Sequence, residues 1–236
     1  MLKNLNLENI LFLDIETVPQ YADYESVPEN FKKLWDDKSA RIRHPDKPDT
    51  PEDLYRRAGI YAEFGKIICI SAGYIAGSQF RVKSFYGDDE KELLTGFSNL
   101  LNRHYNTPQH LLCAHNGKEF DFPYIARRML INRLALPEIL NLAGKKPWEI
   151  QHLDTMELWR FGDYKSYTSL SLLTAIFGIP TPKDDIDGSM VYETYWLKND
   201  IERIVTYCQK DTLAVAQILL SYLGKPLIKE SQVVVV

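Results

Sequence analysis

The feature that most constrains this chain is an apolar segment interrupted by two carboxylates, Ile10-Leu-Phe-Leu-Asp-Ile-Glu-Thr-Val18. Its branched and aromatic residues predict a β-strand. Side chains alternate faces along a strand, so Asp14 and Glu16 point to the same side as Ile10 and Phe12. Like charges this close repel each other and are costly to bury, and a bound cation would resolve both problems. Alone, Asp-x-Glu is short and common, and the exposed end of a strand explains it equally well.

Bulk properties restrict the class of protein. A chain of 236 residues with 45% hydrophobic composition can bury a core of ordinary size and favours an α/β domain. Its three cysteines, Cys69, Cys113 and Cys208, have no paired spacing, which argues for a reduced intracellular protein without disulfides or a zinc site. The N-terminus has no apolar signal-peptide core, and four terminal valines are too few to span a bilayer. We therefore expect a cytoplasmic protein without a membrane partner.

The net charge of −4 bears on the kind of nucleic-acid protein this could be. A tight, non-catalytic nucleic-acid binder usually carries a basic excess, which this chain lacks. A nuclease tolerates the acidic balance, because divalent cations supply positive charge where phosphate must lie. The charge thus weighs more against a binding module than against an enzyme.

Hydrophobic periodicity predicts a mixed central sheet flanked by helices. Strands are expected over residues 10–18, 66–74, 80–86, 111–114 and 152–154, with a hairpin turn at Ala76-Gly77-Ser78. Helices are expected over 89–105, 122–133 and 169–177, followed by a long helix capped by Asn199 or Asp200 and ending near Leu223. Hairpin strands followed by alternating helices and strands indicate an α/β fold.

One domain is predicted over residues 1–225. Residues 20–63 interrupt its pattern because they are charged, contain several prolines and include short helical fragments at 30–36 and 52–61. We interpret them as an insertion packed on the edge of the sheet. From residue 226 to 236 we expect a flexible C-terminal tail.

A second candidate site follows the predicted strand 111–114, in Asn116-Gly-Lys-Glu-Phe120-Asp121. A loop between a buried strand and the start of a helix is a usual place for ligand contacts. Asp121 can equally serve as the cap of the following helix, which is one of the commonest roles of aspartate.

A third candidate lies on the final predicted helix. Its core stripe consists of Ile201, Ile204, Cys208, Val215, Ile218 and Tyr222. Asp211 falls in the same stripe, and Tyr207 lies one turn before it, so the two side chains are neighbours. An unpaired carboxylate there would cost on the order of several kcal/mol. A salt bridge, or a hydrogen bond from Tyr207, would be a purely structural explanation.

The three candidates are more informative together than separately. Carboxylates on a central strand, after a buried strand and on a late helix can converge at one edge of a sheet. Four acidic groups in one cleft require divalent cations, and hard oxygen ligands favour Mg²⁺ or Mn²⁺ over zinc.

The motifs Asp14-Ile-Glu16, Asn116-x-x-x-Phe120-Asp121 and Tyr207-x-x-x-Asp211 resemble, in this order, the three motifs of the DEDD exonuclease superfamily. Tyrosine four residues before the last aspartate resembles its DEDDy branch; the histidine branch would place histidine where this chain has Thr206. Five connecting segments resemble the stand-alone predicted 3′–5′ exonucleases related to the proofreading domain of family B DNA polymerases. They are residues 61–67, 127–132, 144–148, 152–155 and 183–188, and the resemblance spans roughly residues 10–226.

This resemblance implies a ribonuclease H-like fold and a two-metal hydrolysis of phosphodiester bonds at the 3′ end of single-stranded DNA. It implies that Asp14 holds both Mg²⁺ (or Mn²⁺) ions, that Glu16 and Asp211 complete one site, and that Asp121 holds the other. Tyr207 would orient the attacking water.

Further residues are expected around this site. Thr17 and Asn116 are expected to contact the terminal nucleotide. Four cationic residues either reach phosphates or are solvated surface charges: Arg127, Arg128, Lys165 and Lys210. Asp154 is interpreted as structural or as an indirect support of the site.

Two other functions stay open besides a ribonuclease H-like endonuclease, which would cut circular DNA and which the pair of Tyr207 and Asp211 disfavours. An exoribonuclease would use the same motifs, because only contacts to the 2′-hydroxyl distinguish RNA. A catalytically weak nucleic-acid-binding accessory module is the other, although a phosphate-binding surface would gain by losing these carboxylates.

Overall fold

The computed structural model of the protein describes residues 5–43, 46, 49–163, 165, 167–180 and 186–236. Part of the resemblance segment 183–188 therefore lies outside the described residues. The described chain forms a six-stranded mixed sheet in the order β5-β4-β1-β2-β3-β6. The strands are β1 (Ile10–Pro19), β2 (Gly65–Ala76), β3 (Gln79–Tyr86), β4 (Leu111–Ala114), β5 (Leu153–Asp154) and β6 (Val233–Val235).

The strands pair as a hairpin core with parallel strands on both sides. β2 runs antiparallel to both β1 and β3, whereas β4 is parallel to β1, β5 to β4 and β6 to β3. Gly77 has φ +59°, a conformation that glycine adopts without steric cost, and it closes the predicted hairpin between β2 and β3. All five predicted strands are confirmed within a few residues.

Helices cover both faces of this sheet. They are α1 (Glu29–Ile42), α2 (Pro51–Tyr55), α3 (Glu90–His104), α4 (Asp121–Ile131), α5 (Thr155–Arg160), α6 (Leu170–Ile176) and α7 (Ile201–Tyr222). The side chains of Asp89, Ser169 and Asp200 accept backbone N–H bonds at the starts of α3, α6 and α7, which explains where these helices begin. The short helix α5 was not predicted.

The alternating faces of β1 decide which helices cover which side. Leu11, Leu13 and Ile15 belong to a core cluster with residues of α3 and α4. Ile10 and Phe12 pack on the other face, against residues of α7. Asp14 and Glu16 share that second face by alternation, so the carboxylates of β1 point toward the helix that carries Asp211.

The described residues of the segment 20–63 fold around a small core of their own. Trp35 is fully buried in it, together with Val27, Leu54 and Tyr55. The Trp35 indole N–H donates to the Pro51 carbonyl at 2.7 Å, which joins α1 to α2. The predicted helical fragments of this insertion correspond to α1 and α2.

The C-terminal segment corrects one expectation. Residues 226–236 were expected to form a flexible tail, but Val233 pairs with Phe80 as β6 adds to the edge of β3. The Gln217 side chain also holds Ile228, donating to its carbonyl at 2.8 Å and accepting from its N–H at 2.9 Å. The physical reason is that valines favour strands and that the edge of β3 offers unpaired backbone groups.

None of the described helices combines the length and the apolar sequence that a membrane crossing requires.

Candidate active site

The two carboxylates of β1 lie at the centre of a buried acidic cluster. Glu16 is only 8% exposed, and Asp14 is partly buried. One Asp14 carboxylate oxygen, Oδ2, is buried without a hydrogen-bond partner, which is unusual for a buried charged group. Ligand atoms of Asp14, Glu16 and Cys208 lie within 4.8 Å of one another. The explanation of Asp14-x-Glu16 as an exposed strand end is therefore wrong.

Helix α7 brings Asp211 and Tyr207 into the same acidic cluster. The Tyr207 hydroxyl donates a hydrogen bond to the Asp211 carboxylate, as the spacing of one helical turn allows. Burial raises the pKa of Tyr207 well above its ordinary value, and the charge of Asp211 raises it further. This hydrogen bond was predicted as a structural alternative to a metal site. It is present, but within a larger group of acidic residues.

Asp121 is the most buried predicted carboxylate, at 3% exposure. It is the first residue of α4, while Phe120 occupies the position before the helix, so Asp121 is not the N-terminal cap. Its carboxylate accepts N–H bonds from its own backbone and from Ile15 of β1. Burial, followed by the charge of Asp154, raises the pKa of Asp121 to about 7.

The four carboxylates act on one another electrostatically. Burial is the largest cause that raises the pKa of Asp14, followed by the charges of Glu16, Asp211 and Asp121. Burial also raises the pKa of Glu16, followed by the charge of Asp211. Without a counter-ion, each ionised carboxylate opposes the ionisation of the others. Such a cluster is expected where a cation completes the charge balance.

Asp154 organises the loop between β4 and α4. Its carboxylate accepts the backbone N–H groups of Asn116 and Lys118, each at 3.0 Å. It also accepts the N–H groups of Met156 and Glu157 at the start of α5, at 3.0 and 3.2 Å. Asp154 thus holds the loop that ends at Asp121. A local sequence pattern could not show these contacts, because they join positions 36 to 38 residues apart.

Asn116, which precedes the Phe120-Asp121 pair in this loop, is conformationally unusual. Its φ is +61°, in the left-handed region that residues with side chains seldom adopt. Its side-chain oxygen Oδ1 is buried without a hydrogen-bond partner. Asparagine adopts this region more readily than most residues, so the unpartnered Oδ1 is the feature that makes this position a candidate for a ligand contact.

Thr17 follows Glu16 at an irregularity in the sheet. The pairing of β1 with β2 shifts register between Glu16 and Thr17, and such a bulge re-aims the side chains beside it. The Thr17 side chain hydrogen bonds the Tyr124 hydroxyl. Tyr124 in turn donates to the Gly59 carbonyl at 2.6 Å, which connects β1 to the insertion.

Cys208 was predicted only as part of the helix core. Its thiol donates to the Asp14 carbonyl at 3.3 Å. Burial raises the pKa of Cys208 well above its ordinary value, so it remains a thiol. The residue fixes the backbone of Asp14 beside the carboxylates, a contact that helical spacing could not reveal.

The predicted phosphate-contacting cations differ in their surroundings. Arg128 is 3% exposed and its Nε donates to Glu90 Oε1 at 2.8 Å, so it belongs to a buried ion pair and is not available to a phosphate. Its neighbour Arg127 is exposed, and so is Lys165, whereas Lys210 is partly buried. The expectation for Arg128 is therefore wrong.

A mixed sheet with this strand order and an acidic cluster on its strand β1 places the protein among α/β proteins of the ribonuclease H-like class. Its fold is similar to that of the family B DNA polymerase from the hyperthermophilic archaeon Pyrobaculum calidifontis, with a TM-score of 0.53 and 17% identity. The similarity covers 91% of this chain but only 25% of the polymerase chain.

The chain belongs to the family described as predicted 3′-5′ exonuclease related to the exonuclease domain of PolB, whose model matches residues 60–228. The resemblance inferred from the three motifs is thereby confirmed at the level of the family. A comparison with curated proteins gives no match.

Proposed function

We propose that this protein is a metal-dependent 3′→5′ exonuclease that releases nucleotides one at a time from the 3′ end of single-stranded DNA. The observation that carries the proposal is the convergence of four carboxylates, those of Asp14, Glu16, Asp121 and Asp211. The charges of the other three all raise the pKa of Asp14. They come from β1, the start of α4 and α7, as the three sequence motifs require. The family of the chain supports the same reaction.

The residues of the cluster fit divalent cations. Carboxylate oxygens are the ligands that Mg²⁺ and Mn²⁺ prefer, and the partnerless Oδ2 of Asp14 lies among them. The four residues that would hold two such ions are Asp14, Glu16, Asp121 and Asp211. When bound, the ions would supply an activated water and stabilise the leaving 3′ oxygen.

The protein's own groups have three tasks in this proposal. Tyr207 positions the attacking water through its hydroxyl, whose raised pKa makes it a hydrogen-bonding group instead of a base near neutral pH. Thr17 and Asn116 contact the terminal nucleotide. Asn116 suits this task because its unpaired Oδ1 can accept a hydrogen bond from a ligand. Asp154 keeps the loop of Asn116 in place.

Single-stranded DNA is proposed because of the kinship with the polymerase exonuclease domain. RNA is the alternative that the same acidic cluster could process, since its distinguishing group is the 2′-hydroxyl. Matched DNA and RNA oligomers of one sequence discriminate between the two substrates directly.

The test uses oligomers labelled at the 5′ or the 3′ end, with Mg²⁺ or Mn²⁺ or with EDTA. We expect a 5′-labelled ladder that shortens stepwise, early release of the 3′ label, and no reaction in EDTA. Asp14→Asn should abolish the ladder, whereas Asp37→Ala, which removes an exposed carboxylate of α1, should leave it intact. Metal-independent shortening, or full activity of Asp14→Asn, would refute the proposal.

A further inference from the structure

A cleft lies next to the acidic cluster, at the end of β1 that follows Glu16. It has a volume of about 270 Å³, and Thr17 and Pro19 at the end of β1 form its floor. Arg56, Arg57 and neighbouring residues of the insertion form one wall, and residues 188–193 form the other. Thr17 directly follows Glu16 in β1, so the cleft includes the residue next to a carboxylate of the cluster.

The insertion wall of this cleft is fixed to β1. Gly59 packs so closely on the strand that a side chain there would meet the Val18 carbonyl carbon at 2.9 Å. The Gly59 carbonyl also accepts the Tyr124 hydroxyl, which hydrogen bonds Thr17. The turn that carries Arg56 and Arg57 therefore has a defined position beside the cluster.

The two walls are also connected to each other. The Tyr192 hydroxyl donates to the Ala22 carbonyl, which ties the segment 188–193 to the insertion. Arg56 bridges the walls as well, because its guanidinium pairs with Glu193 at 3.6 Å and lies over the Tyr192 ring at 5.2 Å. The charge of Arg56 is thus already balanced by the protein.

Arg57 differs from Arg56 in this respect. It is exposed, lines the same cleft, and within the described part of the chain its guanidinium has no ion-pair partner. An exposed arginine that lines a cleft at the end of β1 and has no protein counter-ion suits an anionic ligand, and its planar fork of donors matches the oxygens of a phosphate.

We propose that the cleft receives the backbone of the nucleic-acid strand next to the nucleotide being removed, with Arg57 pairing with one of its phosphates. This inference rests on the proposed exonuclease function and assigns a substrate-binding role to the insertion. Arg57 lies just before residues 60–228, which the family model matches.

The first measurement separates binding from cleavage. In the Asp14→Asn background, the affinity for a 5′-fluorescein oligothymidylate is measured by anisotropy over a range of salt concentrations. Arg57→Ala should weaken binding by about tenfold and reduce the slope of log K against log salt by about 0.7, the loss of one phosphate contact on a single strand. Arg57→Lys should keep most of the slope. Arg41→Ala, a change at an exposed arginine of α1 outside the cleft, is the matched control and should bind normally.

The second measurement uses the otherwise unaltered enzyme. Arg57→Ala should raise the KM for oligothymidylate shortening by about tenfold while kcat stays within about twofold, because a lost ground-state contact acts on binding. If Arg57→Ala matches Arg41→Ala in salt slope and in KM while the protein still shortens 3′ ends, the cleft assignment is wrong and the proposed function stands. If the unaltered protein shortens no oligomer, the proposed function itself fails.

Discussion

The carboxylate of Asp154 accepts the backbone N–H of Asn116 at 3.0 Å and so joins the end of β5 to the loop that leads to Asp121. A second bond from the Lys118 N–H strengthens the same connection. Asp154 is 3% exposed and accepts four backbone N–H groups, so its removal leaves several donors without their acceptor. The position of Asp121 in the acidic cluster thus depends on a residue that carries no role in the reaction.

Asp154→Ala should therefore affect both stability and activity. We expect the free energy of unfolding to fall by about 1–3 kcal/mol, because buried N–H groups lose their acceptor. Activity should fall more than stability alone explains, since the Asn116–Asp121 loop loses its position. Urea denaturation and initial rates on a 5′-labelled oligomer measure the two effects. Unchanged rates in a fully folded variant would contradict this role.

Tyr207→Phe removes only the hydroxyl that bonds Asp211. Because the ring remains partly buried on α7, the fold should be retained. We expect kcat to fall on the order of 100-fold with little change in KM, the usual contribution of a group that positions the attacking water. Thr206→Ala, one position earlier on an exposed site of α7, is the control. A raised KM with normal kcat would indicate that Tyr207 contacts the substrate instead.

The raised pKa of Asp121 predicts how pH and metal ions act together on stability. Its pKa rises from 3.8 in the unfolded reference to about 7 in the folded protein. The folded protein thus binds the proton more tightly, and this contribution to stability is lost as pH rises through about 7. Thermal unfolding in EDTA should show it, and added Mn²⁺ should raise Tm more at pH 8 than at pH 5.5.

The same experiment has an internal control. Asp121→Asn carries no titrating proton at this position, so its Tm in EDTA should depend less on pH, and its gain from Mn²⁺ should be smaller. An equal Mn²⁺ effect at both pH values in the unaltered protein would contradict a metal site at this carboxylate.

Arg127 and Arg128 are adjacent in sequence but should respond oppositely to substitution. Arg128→Ala leaves the buried Glu90 carboxylate without its main partner, so we expect a loss of about 3–5 kcal/mol in the free energy of unfolding. Arg127→Ala changes an exposed residue and should alter stability by no more than about 0.5 kcal/mol. Chemical denaturation of both variants measures the difference, and similar losses would contradict the assigned ion pair.

These residues also show how far the sequence could lead. Strand alternation predicted that Asp14 and Glu16 share a face, and helical spacing predicted that Tyr207 neighbours Asp211, because both patterns are local. Helical spacing places Arg128 on the same face of α4 as the buried Tyr124, but spacing alone does not show which residue pairs with it. The pairing of Arg128 arises from α4 packing beside Glu90, which is 38 residues away in sequence.

Other parts of the site depend on tertiary contacts in the same way. Asp154 of β5 reaches Asn116 just past the end of the neighbouring strand β4, and the bulge at Thr17 exists only in the pairing of β1 with β2. The strand β6 was missed because a terminal run of valines shows no alternation and finds its partner, β3, far away in sequence. Local sequence patterns thus predicted most strands and helices and the positions of the acidic residues. The contacts that hold these residues in place could be seen only in the folded structure.

The most direct test of the central claim compares linear and circular single-stranded DNA of one sequence, with products identified by mass spectrometry in the presence of Mg²⁺. A 3′-end exonuclease should convert the linear strand to nucleoside monophosphates and leave the circle intact. The Asp14→Asn variant should leave both strands intact. Cutting of the circle, or a linear strand that stays intact under these conditions, would contradict the account.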